Sequence, residues 1–172
     1  ALTVNLRPAI TGQPRSQTVL SGASVNLNVT ATGTPPLSYE WRKDVTNVVS
    51  GAASAALALS NVQTNDSGKY TAIVRNSFGA ATSAVALLTV RELPAILTQP
   101  ASRTVLAGSN VTFAVAAAGT APLSYQWRKN GTNLAGATRS NLTLAKVTKA
   151  LAAEYAGVEK NSAGAATSVG CP

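Results

Sequence analysis

The side chains able to do chemistry are few, and their inventory narrows the function before any fold is considered. Six carboxylates are present: Glu40, Asp44, Asp66, Glu92, Glu154 and Glu159. Glu40, Asp44 and Asp66 lie close enough in sequence to suggest a general acid and base pair. Six carboxylates leave little material for such a pair, and there is no histidine at all. That excludes a histidine-based triad and the usual imidazole metal ligands. Cys171 is the sole cysteine, so neither an internal disulfide nor a cysteine metal cluster can form. Asn130-Gly131-Thr132 is a hairpin turn signal and not a phosphate loop, and neither G-x-x-x-x-G-K nor G-x-S-x-G occurs. The expectation is a protein that is not an enzyme and carries no metal or cofactor.

The charge pattern points the same way. Fourteen Lys and Arg against six acids give +8, spread evenly over the two halves as singles and doublets. Nucleic-acid binding calls for a dense basic stripe with interleaved aromatics; this distribution is a solubilising surface, with weak attraction to acidic glycans or cell surfaces as its functional counterpart. No apolar run approaches the 18 residues of a membrane span. N-x-[ST] acceptor sites fall at Asn28, Asn65, Asn110, Asn130 and Asn141, which suits a secreted chain.

What positions these residues is an internal repeat, the feature that decides architecture when it is present. LSYEWRK at 37–43 returns as LSYQWRK at 123–129, NSFGAATS at 76–83 as NSAGAATS at 161–168, and LTVNLRPAI at 2–10 as LTVRELPAI at 88–96. The offset is 86 for Leu2/Leu88 and Trp41/Trp127, and 85 from Gly51/Gly136 through Tyr70/Tyr155. One residue is therefore missing from a loop of the second copy. Within each copy the apolar period is two: Val25, Leu27 and Val29, echoed by Val111, Phe113 and Val115, alternate with polar neighbours. Short strands of this kind separated by Gly, Pro, Asn and Asp turns predict an all-β sandwich or barrel. The inward phase of Trp41 and Trp127 predicts core packing and not sugar-stacking platforms. Phe78, in the turn after the second Tyr, is the better candidate for an exposed aromatic.

The ordered set G-x-x-V (22–25), G-x-P-P (33–36), Tyr-x-Trp (39–41), Leu-x-Leu (57–59), Asp-x-Gly-x-Tyr (66–70) and Asn-x-x-Gly (76–79) resembles the immunoglobulin superfamily, and in particular the intermediate-set-like tandem domains of bacterial surface proteins. The resemblance covers nearly the whole chain, twice. It implies two tandem immunoglobulin-like β-sandwiches in a rod: residues 7–91, and 92–172 with an incomplete final strand, preceded by a strand at 1–6. It implies that Trp41, Tyr70, Trp127 and Tyr155 hold the core, with Asp66 bracing the corner before Tyr70. The family's inter-sheet cysteines would fall at Val29 and Ala72, and at Val115 and Gly157; apolar packing must replace them. In the second copy the corner motif is lost, Leu151 standing for Asp66 and Ala153 for Gly68. Glu159 replaces inward Val74, which places it at a strand end near solvent or marks a slip in register.

The ends carry a further expectation. The first copy ends in Leu-Leu-Thr-Val (87–90), which the second lacks, while the chain begins with Ala1-Leu2-Thr3-Val4. The total of 172 residues is twice 86, so the end joins the start in register. Three readings compete: a window cut from a longer tandem array, a head-to-tail polymer in which Leu2, Thr3 and Val4 complete the second copy of the next subunit, or coincidence. An incomplete sandwich exposes an edge that favours strand addition, and a repeating contact that does not close gives a filament. Cys171 sits at that joint as an inert small residue or as a disulfide to another chain. The short linker at 90–94, stiffened by Pro94, suits a rod. The function expected is thus structural and extracellular, a filament subunit or stalk segment whose partners are copies of itself or neighbouring repeats. An adhesin or carbohydrate-binding accessory module is the alternative.

Overall fold

The computed structural model describes residues 2–171, and it divides into two compact units, Ala1–Arg91 and Glu92–Pro172. The first unit contains β1 (Ala9–Gly12), β2 (Gln17–Leu20), β3 (Val25–Asn28), β4 (Thr30–Thr32), β5 (Ser38–Lys43), β6 (Asn47–Val48), β7 (Ala56–Leu59), β8 (Gly68–Asn76), β9 (Gly79–Thr82) and β10 (Ala86–Arg91). The second contains β11 (Ala95–Thr98), β12 (Val111–Ala114), β13 (Ala116–Ala118), β14 (Ser124–Lys129), β15 (Thr132–Asn133), β16 (Asn141–Leu144), β17 (Tyr155–Lys160) and β18 (Ala165–Thr167). The all-β sandwich expected from period-two patterning is what forms, and among the described residues only single turns of 3-10 helix, at Thr64–Asp66 and Lys149–Leu151, interrupt it.

In the first unit one sheet runs β2-β10-β8-β5-β6, with β9 also on β8, and faces the β3–β7 and β1–β4 pairs. Alternation decides which faces meet. Val25, Leu27 and Val29 are buried while Asn26 and Asn28 between them are exposed, and they close over Trp41, Leu57, Tyr70, Ala72, Leu88 and Val90. The second unit repeats this with Val111, Phe113, Val115, Trp127, Leu142 and Tyr155. Its register also repeats: Trp127 pairs with Gly157 as Trp41 pairs with Ala72. The expected inter-sheet cysteine positions are thus core positions in both units. A Cβ built on Gly157 would lie 3.6 Å from the Val115 Cβ.

The units differ along one edge. In the first, β10 lies between β2, which it pairs in parallel, and β8, which it pairs antiparallel. In the second, the sheet runs only β15-β14-β17-β18. Residues 103–106, the counterparts of β2, form no strand. The counterpart of β10 begins at Cys171, whose N–H and C=O exchange hydrogen bonds with the Tyr155 main chain at 2.9 and 3.0 Å. Residues 2–8 form no strand in this chain. Ala1 and Pro172, which belong to the expected joint, lie outside the described residues.

Candidate functional site

The residues able to do chemistry are not brought together. Glu40 pairs with Arg42 of its own strand at 2.5 Å. Asp44 accepts from the Lys69 N–H at 2.9 Å, and Asp66 accepts from the Gln63 N–H at 2.7 Å, capping the 3-10 turn. These three carboxylates are thus engaged separately, each with a partner of its own. Among the described residues no group of three His, Cys, Asp or Glu side chains could hold a metal ion.

The tryptophans and corner tyrosines are structural. Trp41 and Trp127 are fully buried, and their indole N–H groups donate to Ser54 O at 3.0 Å and Arg139 O at 2.9 Å. The Tyr70 hydroxyl donates to Asp66 O at 2.8 Å, and the Tyr155 hydroxyl donates to Leu151 O at 2.7 Å. The corner is therefore not lost in the second unit. The acceptor is a main-chain carbonyl, which survives replacement of the Asp66 side chain by that of Leu151. Burial raises both phenol pKa values, with Asp66 and Asp44 adding to the effect at Tyr70. Phe78 is partly exposed in the turn between β8 and β9, and Ala163 stands in its place in the second unit.

Glu159 departs from expectation. It is neither near solvent nor out of register: it pairs with Tyr125 as Val74 pairs with Tyr39, and its side chain is fully buried, with neither oxygen hydrogen-bonded. Desolvation pushes its carboxyl above the usual range, because burial disfavours the ion. Sequence patterning missed this because a short strand tolerates one residue that breaks its hydrophobic face.

The largest apolar hollow described lies in the second unit, beside β12 and β17. A cleft of about 400 Å³ is lined by Val105, Val111, Phe113, Leu151, Ala153 and Tyr155, among others. The first unit fills the matching place with Leu88 and Val90, which are 1% and 4% exposed. Leu106 is 83% exposed against 44% for its counterpart Leu20. Phe113 stacks on Tyr155 with ring centroids 5.1 Å apart and forms the apolar floor. Cys171, bridged to the Tyr155 main chain, is buried, its thiol donates to Tyr155 O at 3.3 Å, and burial raises its pKa. A thiol held in this state is a poor nucleophile. Leu2 and Val4, the expected donors, are 91% and 70% exposed.

Comparison with known proteins bears on the same elements. Residues 8–90 match the family model of the immunoglobulin I-set domain. The human peroxidasin homolog is 35% identical over 134 residues, which cover 74% of this chain and 9% of that protein. Among solved structures, the four N-terminal Ig domains of Dscam1 isoform 6.9 align with a TM-score of 0.79 at 23% identity, covering 99% of this chain and 46% of that one. Extracellular domains 3–5 of Drosophila OTK align with a TM-score of 0.66 at 21% identity, covering 93% of this chain and 59% of that one. The chain thus spans under a tenth of the length of the human relative. The relatives found are animal proteins, so the bacterial setting expected from the sequence has no support among them.

Proposed function

We propose, from two tandem sandwiches of immunoglobulin-like fold and the match of residues 8–90 to the I-set model, that this chain is a structural segment of an extracellular or cell-surface assembly, a filament subunit or part of a tandem-repeat stalk with no catalytic role. One observation carries this reading. The side chains that a catalytic or sugar-binding site would draw on are engaged in both units in holding the fold: the Trp indoles, the corner Tyr hydroxyls, and the side chains of Asn76 and Asn161. Its partners are other sandwiches, as copies of itself or as neighbouring repeats. Two features support an extracellular setting: the likeness to domains described as extracellular, and the exposure of all five N-x-[ST] acceptor asparagines.

The test is protease shaving of intact source cells, with mass spectrometry of the released peptides. Peptides of this chain released without lysis are expected. Their recovery only after lysis overturns the reading.

A further inference from the structure

We propose that Asn28 and Asn141 carry N-linked glycans, one on each unit and at the same rung of the same sheet. The proposal rests on the extracellular reading put forward above and adds the modification that such a setting brings.

Five asparagines lie in N-x-[ST] acceptor triplets, the pattern a glycosyl transfer to asparagine requires. All five are exposed, so exposure does not choose among them. Their work in the fold does. The Asn110 side-chain oxygen accepts from the Lys146 N–H at 2.9 Å, and that of Asn130 accepts from the Glu154 N–H at 3.0 Å. Asn130 also sits in its hairpin at a φ of 48°. Asn65 lies within the 3-10 turn Thr64–Asp66, and its main-chain carbonyl accepts from Lys43 Nζ. A sugar on Asn110 or Asn130 would be pinned against the backbone that the side-chain oxygen holds, and one on Asn65 would crowd a turn of three residues. Asn28 and Asn141 hold no turn. Each lies in a regular strand, β3 or β16. Asn28 stands between buried Leu27 and Val29, and Asn141 precedes buried Leu142. Alternation along a strand therefore turns both outward, away from the core.

The repeat makes these two asparagines one place in the fold. Asn28 lies opposite Ala56 in the β3–β7 ladder, and Asn141 lies opposite Ala114 in the β12–β16 ladder. The repeat maps Asn28 onto Ala114 and Ala56 onto Asn141. Each unit thus carries one acceptor on this rung, on β3 in the first and on the partner strand in the second, and the place across from it is alanine both times. The triplet was not copied with the repeat, since its strand changes, yet the rung is kept. Facing Cβ atoms of such a pair are about 4.5–5.5 Å apart, so the first sugar meets the facing side chain, and alanine leaves it room.

The step forms a bond between asparagine Nδ2 and the anomeric carbon of a lipid-linked glycosyl diphosphate. The bond from that carbon to the diphosphate oxygen breaks, and the proton lost by the amide goes to the released diphosphate. The glycan is bulky and hydrated and keeps other sandwiches off the sheet face that bears it. In each unit the opposite sheet, with β5 and β8 or with β14 and β17, is then the face left for partners.

The experiment is glycopeptide mass spectrometry of the protein isolated from its source, with fragmentation that locates the sugar on the peptide. Glycan on Asn28 and on Asn141 is the expected result, and Asn28→Gln and Asn141→Gln are each expected to lower the intact mass by one glycan. Both positions are exposed, so neither variant is expected to shift the melting temperature of its own unit beyond the loss of the sugar. Bare asparagine at either position overturns the proposal, as does glycan confined to Asn65, Asn110 or Asn130. Equal occupancy of all five overturns it too, since the fold would then not choose. Bare Asn28 and Asn141 in protein shaved from the cell surface defeat this proposal alone, whereas glycan at both in protein recovered only after lysis defeats the extracellular reading alone.

Discussion

Glu159 faces Tyr125 across the sheet at the position where Val74 faces Tyr39. Its two oxygens have no hydrogen-bond partner, so a carboxyl group occupies a site shaped for a branched alkyl group. Leaving a buried polar group unsatisfied costs about 1–3 kcal/mol. Glu159→Val is therefore expected to stabilise the second unit by about that amount, measured by thermal or urea unfolding.

The same residue makes stability depend on pH. Burial raises the Glu159 pKa above its unfolded value, so the folded unit holds a proton that the unfolded chain has released. The stability linked to this proton is complete below the unfolded carboxylate range and is lost as pH rises through the raised pKa. A melting temperature of the second unit that falls over this window in the natural protein, and does so less in Glu159→Val, is expected. Identical pH profiles for the two proteins would show that the carboxyl finds a partner in solution.

The turn between β5 and β6 holds Asp44 and Val45 at φ of 50° and 72°, while the matching turn holds Asn130 and Gly131 at 48° and 79°. The second turn is the two-residue kind that favours Asn-Gly, whereas the first is one residue longer, Asp44-Val45-Thr46, and a β-branched residue at positive φ is strained. Val45→Gly is expected to stabilise the first unit by about 1 kcal/mol, the scale of the left-handed penalty for a residue with a Cβ. The second unit's transition in the same melting curve serves as the internal control.

Because both corner tyrosines donate to a main-chain carbonyl, Tyr70→Phe and Tyr155→Phe are expected to destabilise their own units similarly, by about 1 kcal/mol. Asp66→Ala should weaken only the first unit, through loss of the cap on Gln63 N–H. Unfolding curves of the three variants check this. A much smaller effect of Tyr155→Phe would mean that the second corner depends on a side chain after all.

Val115→Cys/Gly157→Cys should form the staple this chain lacks. The Cβ separation of 3.6 Å lies within the range a disulfide spans. The same built Cβ comes within 2.8 Å of Glu159 Oε1, so the pair is best made in the Glu159→Val background. Stabilisation of about 2–4 kcal/mol, reversed by reductant, is expected from melting curves with and without dithiothreitol.

Much of this molecule is legible in its sequence, because the repeat and the period-two pattern are both direct consequences of a two-layer β core. The inward phase of Val25, Leu27 and Val29 and of both tryptophans needed no coordinates. The carboxylates were legible as poor catalytic material from composition alone, though their separate roles on Arg42, Lys69 and Gln63 depend on folding and leave no spacing signal. The corner at Tyr155 was misjudged because the pattern shows side chains, whereas the acceptor is the Leu151 carbonyl. The burial of Glu159 was unreadable because pairing along β14 and β17, and not the residue's own polarity, decides where it goes. The apolar floor of the cleft in the second unit leaves no spacing signal. The stacking of Phe113 on Tyr155 arises because Phe113 stands where the first copy has Leu27.

The side chain of Asn76 donates to Leu6 O and Thr34 O, and its oxygen accepts from Phe78 N–H. Asn161 does the same with Glu92 O, Thr120 O and Ala163 N–H. In each unit one amide group therefore rivets three stretches of backbone: the lead-in, the loop before the central strand and the hairpin at its far side. A pull on the lead-in meets this rivet before it reaches the β1–β4 or β11–β13 ladder. Tension is thereby shared with the hairpin and loop, and the first strand is protected from being peeled away rung by rung.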